Sequence, residues 1–99
     1  MAGDRMALAE LTAMTARLAE AGPVVLDTVR AYLSNGGSLE ATAREVFVHP
    51  NTVRYRLRRA AQDSGVQPTT PRGAWTLQIA LTLAALDSGR GTPHRRRAL

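Results

Sequence analysis

The stretch Ser38-Leu-Glu-Ala-Thr-Ala-Arg-Glu-Val-Phe-Val-His-Pro-Asn-Thr-Val-Arg-Tyr-Arg-Leu-Arg-Arg-Ala-Ala-Gln-Asp-Ser64 decides the fold. It reads as two helices joined by a turn. Ser38 is a good N-cap, because its hydroxyl can accept from a free amide in the first turn of a helix. That helix runs from Leu39 to about Val46. Phe47-Val48-His49-Pro50 is too short to be more than a turn, and a second helix starts at Pro50 or Asn51 and runs to about Ser64. Gly65 follows, as expected where a helix closes in the left-handed conformation. A helix-turn-helix needs a second helix lying across a short first one. Close crossing demands a small side chain, and Ala43 supplies it. Val46 and Val48 can bury beneath the turn, Val53 and Leu57 can pack the second helix on the first, and Ala60 and Ser64 continue that stripe.

The rest of the second helix follows at about 100° per residue. With Val53 and Leu57 inward, Asn51, Tyr55, Arg58, Arg59 and Gln62 face outward, and Thr52, Arg54 and Arg56 lie on the flanks. Between Asn51 and Gln62 there are four arginines and no acid. Such a face suits the major groove of DNA. Arginine can bond guanine edges in bidentate fashion, and asparagine or glutamine can do the same for adenine. Thr52 and the N-terminal amides of the helix are candidate phosphate contacts. The competing reading is an ordinary solvated, charged helix face. The turn, the crossing alanine and the absence of acid together favour DNA.

Outward from this centre, three more helices are expected. The first runs from about Asp4 to Ala21, with Ala7, Leu11, Met14, Leu18 and Ala21 on one stripe. Gly22-Pro23 breaks it, and Pro23 suits the first turn of the next helix. The second carries Leu26, Val29 and Leu33 on one face, with Val25 and Tyr32 beside them, and ends at Asn35-Gly36-Gly37. The last opens with Thr70 as N-cap and Pro71 as first residue, is weakened by Gly73, and is expected to close at Ser88-Gly89. It is apolar nearly all round, so it must be covered either within the monomer or by a second copy. Lone Trp75 at its start is expected in core or interface rather than stacked on a base. The fold class is therefore all-α, a small bundle of about five helices containing a helix-turn-helix. The expected divisions are a supporting or dimerising helix in 1–22, the DNA-binding domain in 23–88, and a basic, disordered tail in 89–99.

Composition narrows the chemistry. The chain has 99 residues and no cysteine, which removes disulfides, zinc-thiolate sites and thiol catalysis. Its net charge is +5, but residues 1–49 carry four arginines and six acids while residues 50–99 carry nine arginines and two acids. A basic half on a small chain points to a polyanion. No signal peptide is read at the N-terminus, and the apolar run from Leu77 to Leu86 is shorter than the roughly 20 residues that span a bilayer. A cytoplasmic protein without a membrane partner is expected. No nucleophile–base pair, metal-ligand set or phosphate loop is present, so neither an enzyme nor a cofactor is expected. His49 has no acidic or cysteine partner at useful spacing and is expected to cap or pack at the turn.

The stretch from Gly37 to Arg59, above all His49-Pro-Asn-Thr-Val-Arg-Tyr-Arg-Leu57, resembles the C-terminal helix-turn-helix domain of the PucR/CdaR family of bacterial transcription regulators, which is related to the Fis-type fold. Leu26-Asp-Thr-Val-Arg-Ala-Tyr-Leu-Ser-Asn-Gly-Gly37 and the apolar helix from Trp75 to Leu86 fit as well. The resemblance covers about Leu26 to Leu86 and leaves out residues 1–21 and the tail. It implies a sequence-specific DNA-binding module and places Asn51, Thr52, Arg54, Tyr55, Arg56 and Arg58 on the recognition helix. With Ser38 and Arg59 these are the DNA-binding candidates. It also implies an N-terminal sensory domain, for which this chain has no room, and a homodimer on double-stranded DNA. One departure stands out: Phe47 occupies the place where many helix-turn-helix proteins have glycine, so the turn is not expected to rely on a left-handed glycine there. Two other readings stay open on the residues alone. One is a protein-interaction or dimerisation module without DNA specificity, the other a non-specific nucleic-acid-binding protein.

Overall fold

The computed structural model describes residues 2–91, with side chains from Leu8 to Leu86. Five helices follow one another: α1 (Ala2–Glu20), α2 (Pro23–Ser34), α3 (Leu39–Val46), α4 (Pro50–Ser64) and α5 (Pro71–Gly91). No strand occurs among the described residues. Ala7 and the basic stretch from residue 92 onward, including His94, lie outside the described side chains.

The caps place the helix ends. Pro23 opens α2 where its missing N–H costs nothing. Asn35 ends it, and Asn35 Nδ2 donates both to the Ala31 carbonyl at 2.7 Å and to Glu45 Oε1 at 2.9 Å, tying the end of α2 to α3. Ser38 Oγ accepts from the Ala41 amide at 3.1 Å and so starts α3. Thr70 Oγ1 accepts from the Gly73 amide at 3.0 Å and starts α5 as expected. The far end of α5 differs from expectation. The helix runs through Ser88 and Gly89 to Gly91. Glycine permits a left-handed stop but does not impose one, and here the helical conformation simply continues.

One apolar core joins all five elements. Leu18 of α1, Val29 of α2, Val53 of α4 and Leu77 of α5 have no exposed surface, and Met14, Val25, Tyr32, Ala43, Leu57, Ala60, Ala80 and Leu81 close around them. Helix α4 packs on α1, α2 and α3, while α1 lies along α5. Thus α4 is held from three sides, and the side left over is its outward face. The α5 face bearing Leu77, Ala80 and Leu81 is buried, but Trp75 is 67% exposed and Leu86 is exposed as well. Trp75 is therefore not a core residue. It lies at one end of the element, and the face it shares with Ile79 and Leu83 points away from α1 and α2.

The α3–α4 turn does adopt left-handed geometry, with Phe47 itself at φ 61° and ψ 46°. The Phe47 amide and the Val48 amide both return to the Ala43 carbonyl, the latter at 3.0 Å, so the turn is closed by the backbone in the way a glycine would close it. Phe47 is 91% exposed and gains almost nothing from packing. A non-glycine residue in this region costs about 1–2 kcal/mol, and a glycine costs about 0.5–1 kcal/mol in unfolded-chain entropy. Phe47→Gly is therefore expected to stabilise the domain by about 0.5–1 kcal/mol, read as a rise in the thermal unfolding midpoint.

Candidate nucleic-acid interface

Helix α4 presents the arrangement its periodicity implies. Val53 and Leu57 are 0% and 2% exposed, and Ala60 and Ser64 are buried below them. Asn51, Arg54, Tyr55, Arg58, Arg59 and Gln62 are exposed, while Thr52 and Arg56 are half-buried on the flank. Ala43 is buried at the crossing, and Val46 and Val48 pack on the core beneath the turn. The two-helix crossing that aims α4 is thus built from small and branched apolar side chains with no buried polar atom left unpaired among the described residues.

The N-terminus of α4 is set by His49. Its Nδ1 accepts from the Asn51 amide at 3.0 Å, which makes it the N-cap, as expected of this residue. The consequence for ligand binding was not legible from the pattern. Pro50 has no amide, the Asn51 amide is taken by His49, and the Thr52 and Val53 amides both return to the His49 carbonyl at 2.9 and 3.3 Å. The first turn therefore holds no free backbone donor to offer a phosphate, contrary to the expectation for its N-terminal amides.

The arginines of α4 differ in what they already hold. Arg56 Nη1 donates to Thr28 Oγ1 at 3.2 Å, and the Thr28 hydroxyl in turn donates to the Val24 carbonyl at 2.8 Å. Thr28 is fully buried on α2, one of few polar residues in the core, and its place in the apolar stripe between Val25 and Val29 is the sequence signal that could have marked it. Arg59 pairs with Asp63 at 3.3 Å across one turn, an exposed pair of small energetic worth. Arg54 Nη1 donates to Asn51 Oδ1 at 2.7 Å. Arg58 makes no hydrogen bond or ion pair with another described residue, and neither does the exposed Tyr55. Arg17 of α1 reaches the Ser64 carbonyl at 3.5 Å, bringing a cation to the C-terminal end of α4, where the helix dipole favours it. Ser38 accepts a cap bond through Oγ and keeps its own hydroxyl proton for another partner.

This surface has a single sign. The exposed side chains from Asn51 to Gln62 include no carboxylate, and the next acid along α4, Asp63, is paired with Arg59. The site can therefore donate hydrogen bonds and attract anions along the one side of α4 that α1, α2 and α3 leave uncovered. No described helix is long and apolar enough to cross a membrane.

Comparison with known proteins agrees with this geometry. An uncharacterised protein of Mycobacterium tuberculosis is 48% identical over 93 residues, which is 93% of this chain and 22% of that protein. The Bacillus subtilis protein YsfB is 33% identical over 64 residues, 65% of this chain and 17% of its own length. The chain thus spans about a fifth of the length of these curated relatives. Among solved structures, a regulator of polyketide synthase expression from Bifidobacterium adolescentis superposes with a TM-score of 0.80 at 43% identity, covering 86% of this chain and 36% of that one. Residues 25–83 match the family described as the PucR C-terminal helix-turn-helix domain. With more than half of its length in that match and the crossing of α3 and α4 in the expected place, the chain belongs to the family of PucR C-terminal helix-turn-helix domains, a family of DNA-binding domains of transcription regulators.

Proposed function

We propose that this chain is a sequence-specific DNA-binding module of a bacterial transcription regulator, with α4 as the recognition helix in the major groove. The observation that carries the proposal is the outward face of α4: exposed Asn51, Arg54, Tyr55 and Arg58, no carboxylate among them, on a helix whose opposite face is fixed in the core. Arg54, Tyr55 and Arg58 read or flank bases. Thr52, Arg56 and the Ser38 hydroxyl hold the backbone, with Arg59 adding charge beside its partner Asp63. A cytoplasmic location goes with this reading. The test is DNA selection from a random library with the purified chain, followed by titration of the winning site at several salt concentrations. Binding should fall steeply with salt, and one sequence should be preferred. A salt slope without preference would indicate a non-specific binder, and no binding at low salt would leave only a protein-interaction module.

The proposal includes a homodimer with one recognition helix per half-site, the half-sites about 34 Å apart. Support comes from α5, where Trp75, Ile79, Thr82 and Leu83 line a shallow groove that no other described residue covers. Apolar patches of this kind on a small protein mark contact surfaces. Trp75→Glu is expected to leave the fold intact, shift the chain to monomer in sedimentation, and weaken binding to a two-half-site operator about tenfold more than binding to a single half-site. A variant that sediments like the parent would remove α5 from the dimer contact.

A further inference from the structure

We propose that Asn51 and Arg54 act as one cationic, donor-rich unit that selects guanine over adenine. This rests on the reading of α4 as the recognition helix and adds the identity of the base it reads. Taken alone, Asn51 is ambivalent. Its amide carries an acceptor and two donors, the combination that matches the N7 acceptor and N6 donor of adenine. Here the acceptor is already engaged. Arg54 Nη1 donates to Asn51 Oδ1 at 2.7 Å, and both side chains are exposed one turn apart on the outward face. The guanidinium takes one of the two lone pairs of that oxygen and puts a positive charge beside the other. An adenine N6 amino group or a cytosine N4 amino group approaching the same oxygen would meet a cation and its N–H groups. With a cation beside the remaining lone pair, the groups the pair offers a base most readily are the Asn51 Nδ2 hydrogens and the remaining N–H groups of Arg54, all of them donors.

Guanine is the base whose major-groove edge offers two adjacent acceptors, N7 and O6. Adenine offers one acceptor beside a donor, and thymine offers one acceptor beside a methyl group. A cationic, donor-rich surface therefore fits guanine. Few acceptors stand beside the pair. The neighbouring exposed side chains on this face are Tyr55, whose hydroxyl donates or accepts, and Arg58; Glu45 and Asp63 are bonded to Asn35 and Arg59, and the exposed Glu40 lies across the α3–α4 turn beside His49 and Pro50. The backbone under the pair is fixed too, because the Asn51 amide is held by His49. Arg54 is thus both a base contact and the residue that decides which edge Asn51 can read.

The experiment is parallel library selection with the native chain, Arg54→Ala and Arg54→Lys. The native chain should select guanine over adenine at one position of each half-site by about tenfold. In Arg54→Ala the freed Asn51 oxygen should move the preference at that position from guanine to adenine, while binding to all sequences also weakens. Arg54→Lys keeps a cation and a donor on the oxygen and should retain guanine with reduced discrimination. Thermal unfolding of each variant reports the fold, which an exposed residue should not disturb. An unchanged base preference in Arg54→Ala, with affinity lowered equally on every sequence, would make Arg54 a phosphate contact and overturn the inference alone. Adenine selected by the native chain at the position that responds to Arg54 would overturn it as well. Failure of the native chain to bind DNA at low salt would overturn the recognition-helix reading and this inference together.

Discussion

Arg58→Glu is expected to weaken DNA binding by at least a hundredfold while leaving the unfolding midpoint almost unchanged. Arg58 sits near the middle of the outward face of α4, exposed, and bonded to no other described residue. Its loss removes one charge-assisted contact, on the order of 1–3 kcal/mol if it reads a base. The new carboxylate adds repulsion against phosphates and base acceptors at close range, so the combined effect is on the order of 3–4 kcal/mol. Stability should move by no more than about 0.5 kcal/mol, the usual range for an exposed position with no cap or buried partner. The salt dependence separates two roles. If Arg58 touches a phosphate, Arg58→Ala lowers affinity on all sequences alike and reduces the salt slope by about one unit. If it reads a base, the slope holds and one position of the site loses its preference. Parent-like affinity in Arg58→Glu would mean that this face does not meet DNA.

The contrast between Arg58 and its neighbours shows how far a sequence pattern reaches. The boundaries of α3 and α4 were legible to within about a residue because their ends are local chemistry: a serine cap, a histidine followed by proline, a glycine at the close. The inward stripe of Val53, Leu57, Ala60 and Ser64 was legible because the helical period alone decides which residues share a side. What a period does not contain is the identity of the neighbour. It could not say that Arg56 would be tied to Thr28 on α2, that Arg54 would hold Asn51, or that the amides of the first turn would be used up by His49. The same limit governs α5. Its apolar residues lie nearly all round, so the pattern could not choose which side the bundle covers, and Trp75 fell on the uncovered one. Phe47 is a different case. A left-handed glycine is normal in such a turn, and a phenylalanine there argues against that backbone. Yet the Phe47 and Val48 amides return to the Ala43 carbonyl, and the left-handed residue goes with that closure. The crossing of α3 and α4 stabilises the domain enough to carry the local cost.

Gly73→Ala tests the other place where local preference and tertiary packing disagree. In a helix interior alanine is favoured over glycine by about 1 kcal/mol, so propensity alone expects this substitution in α5 to stabilise. Packing expects the reverse. Gly73 is buried in the first turn of α5, facing the link between α4 and α5. A Cβ added there would overlap the Gln67 carbonyl oxygen and stand 2.7 Å from its carbon and 2.9 Å from Thr70 Oγ1. Two of these atoms are backbone and the third is the cap of α5, so no flexible side-chain end can swing away. The link itself is pinned, with Pro68 buried and the Ser64 hydroxyl accepting the Val66 amide at 3.1 Å. Relief requires moving the link or the start of α5, and overpacking of this kind costs about 1–3 kcal/mol or more. We expect a net loss of about 2–3 kcal/mol, which lowers the unfolding midpoint by roughly 10–20 °C in a domain of this size. DNA affinity measured well below that midpoint should stay near the parent value, because α4 is aimed by α1, α2 and α3 and touches α5 only through the shared core. A midpoint that rises would show that the link yields freely and that helix propensity outweighs packing at this position.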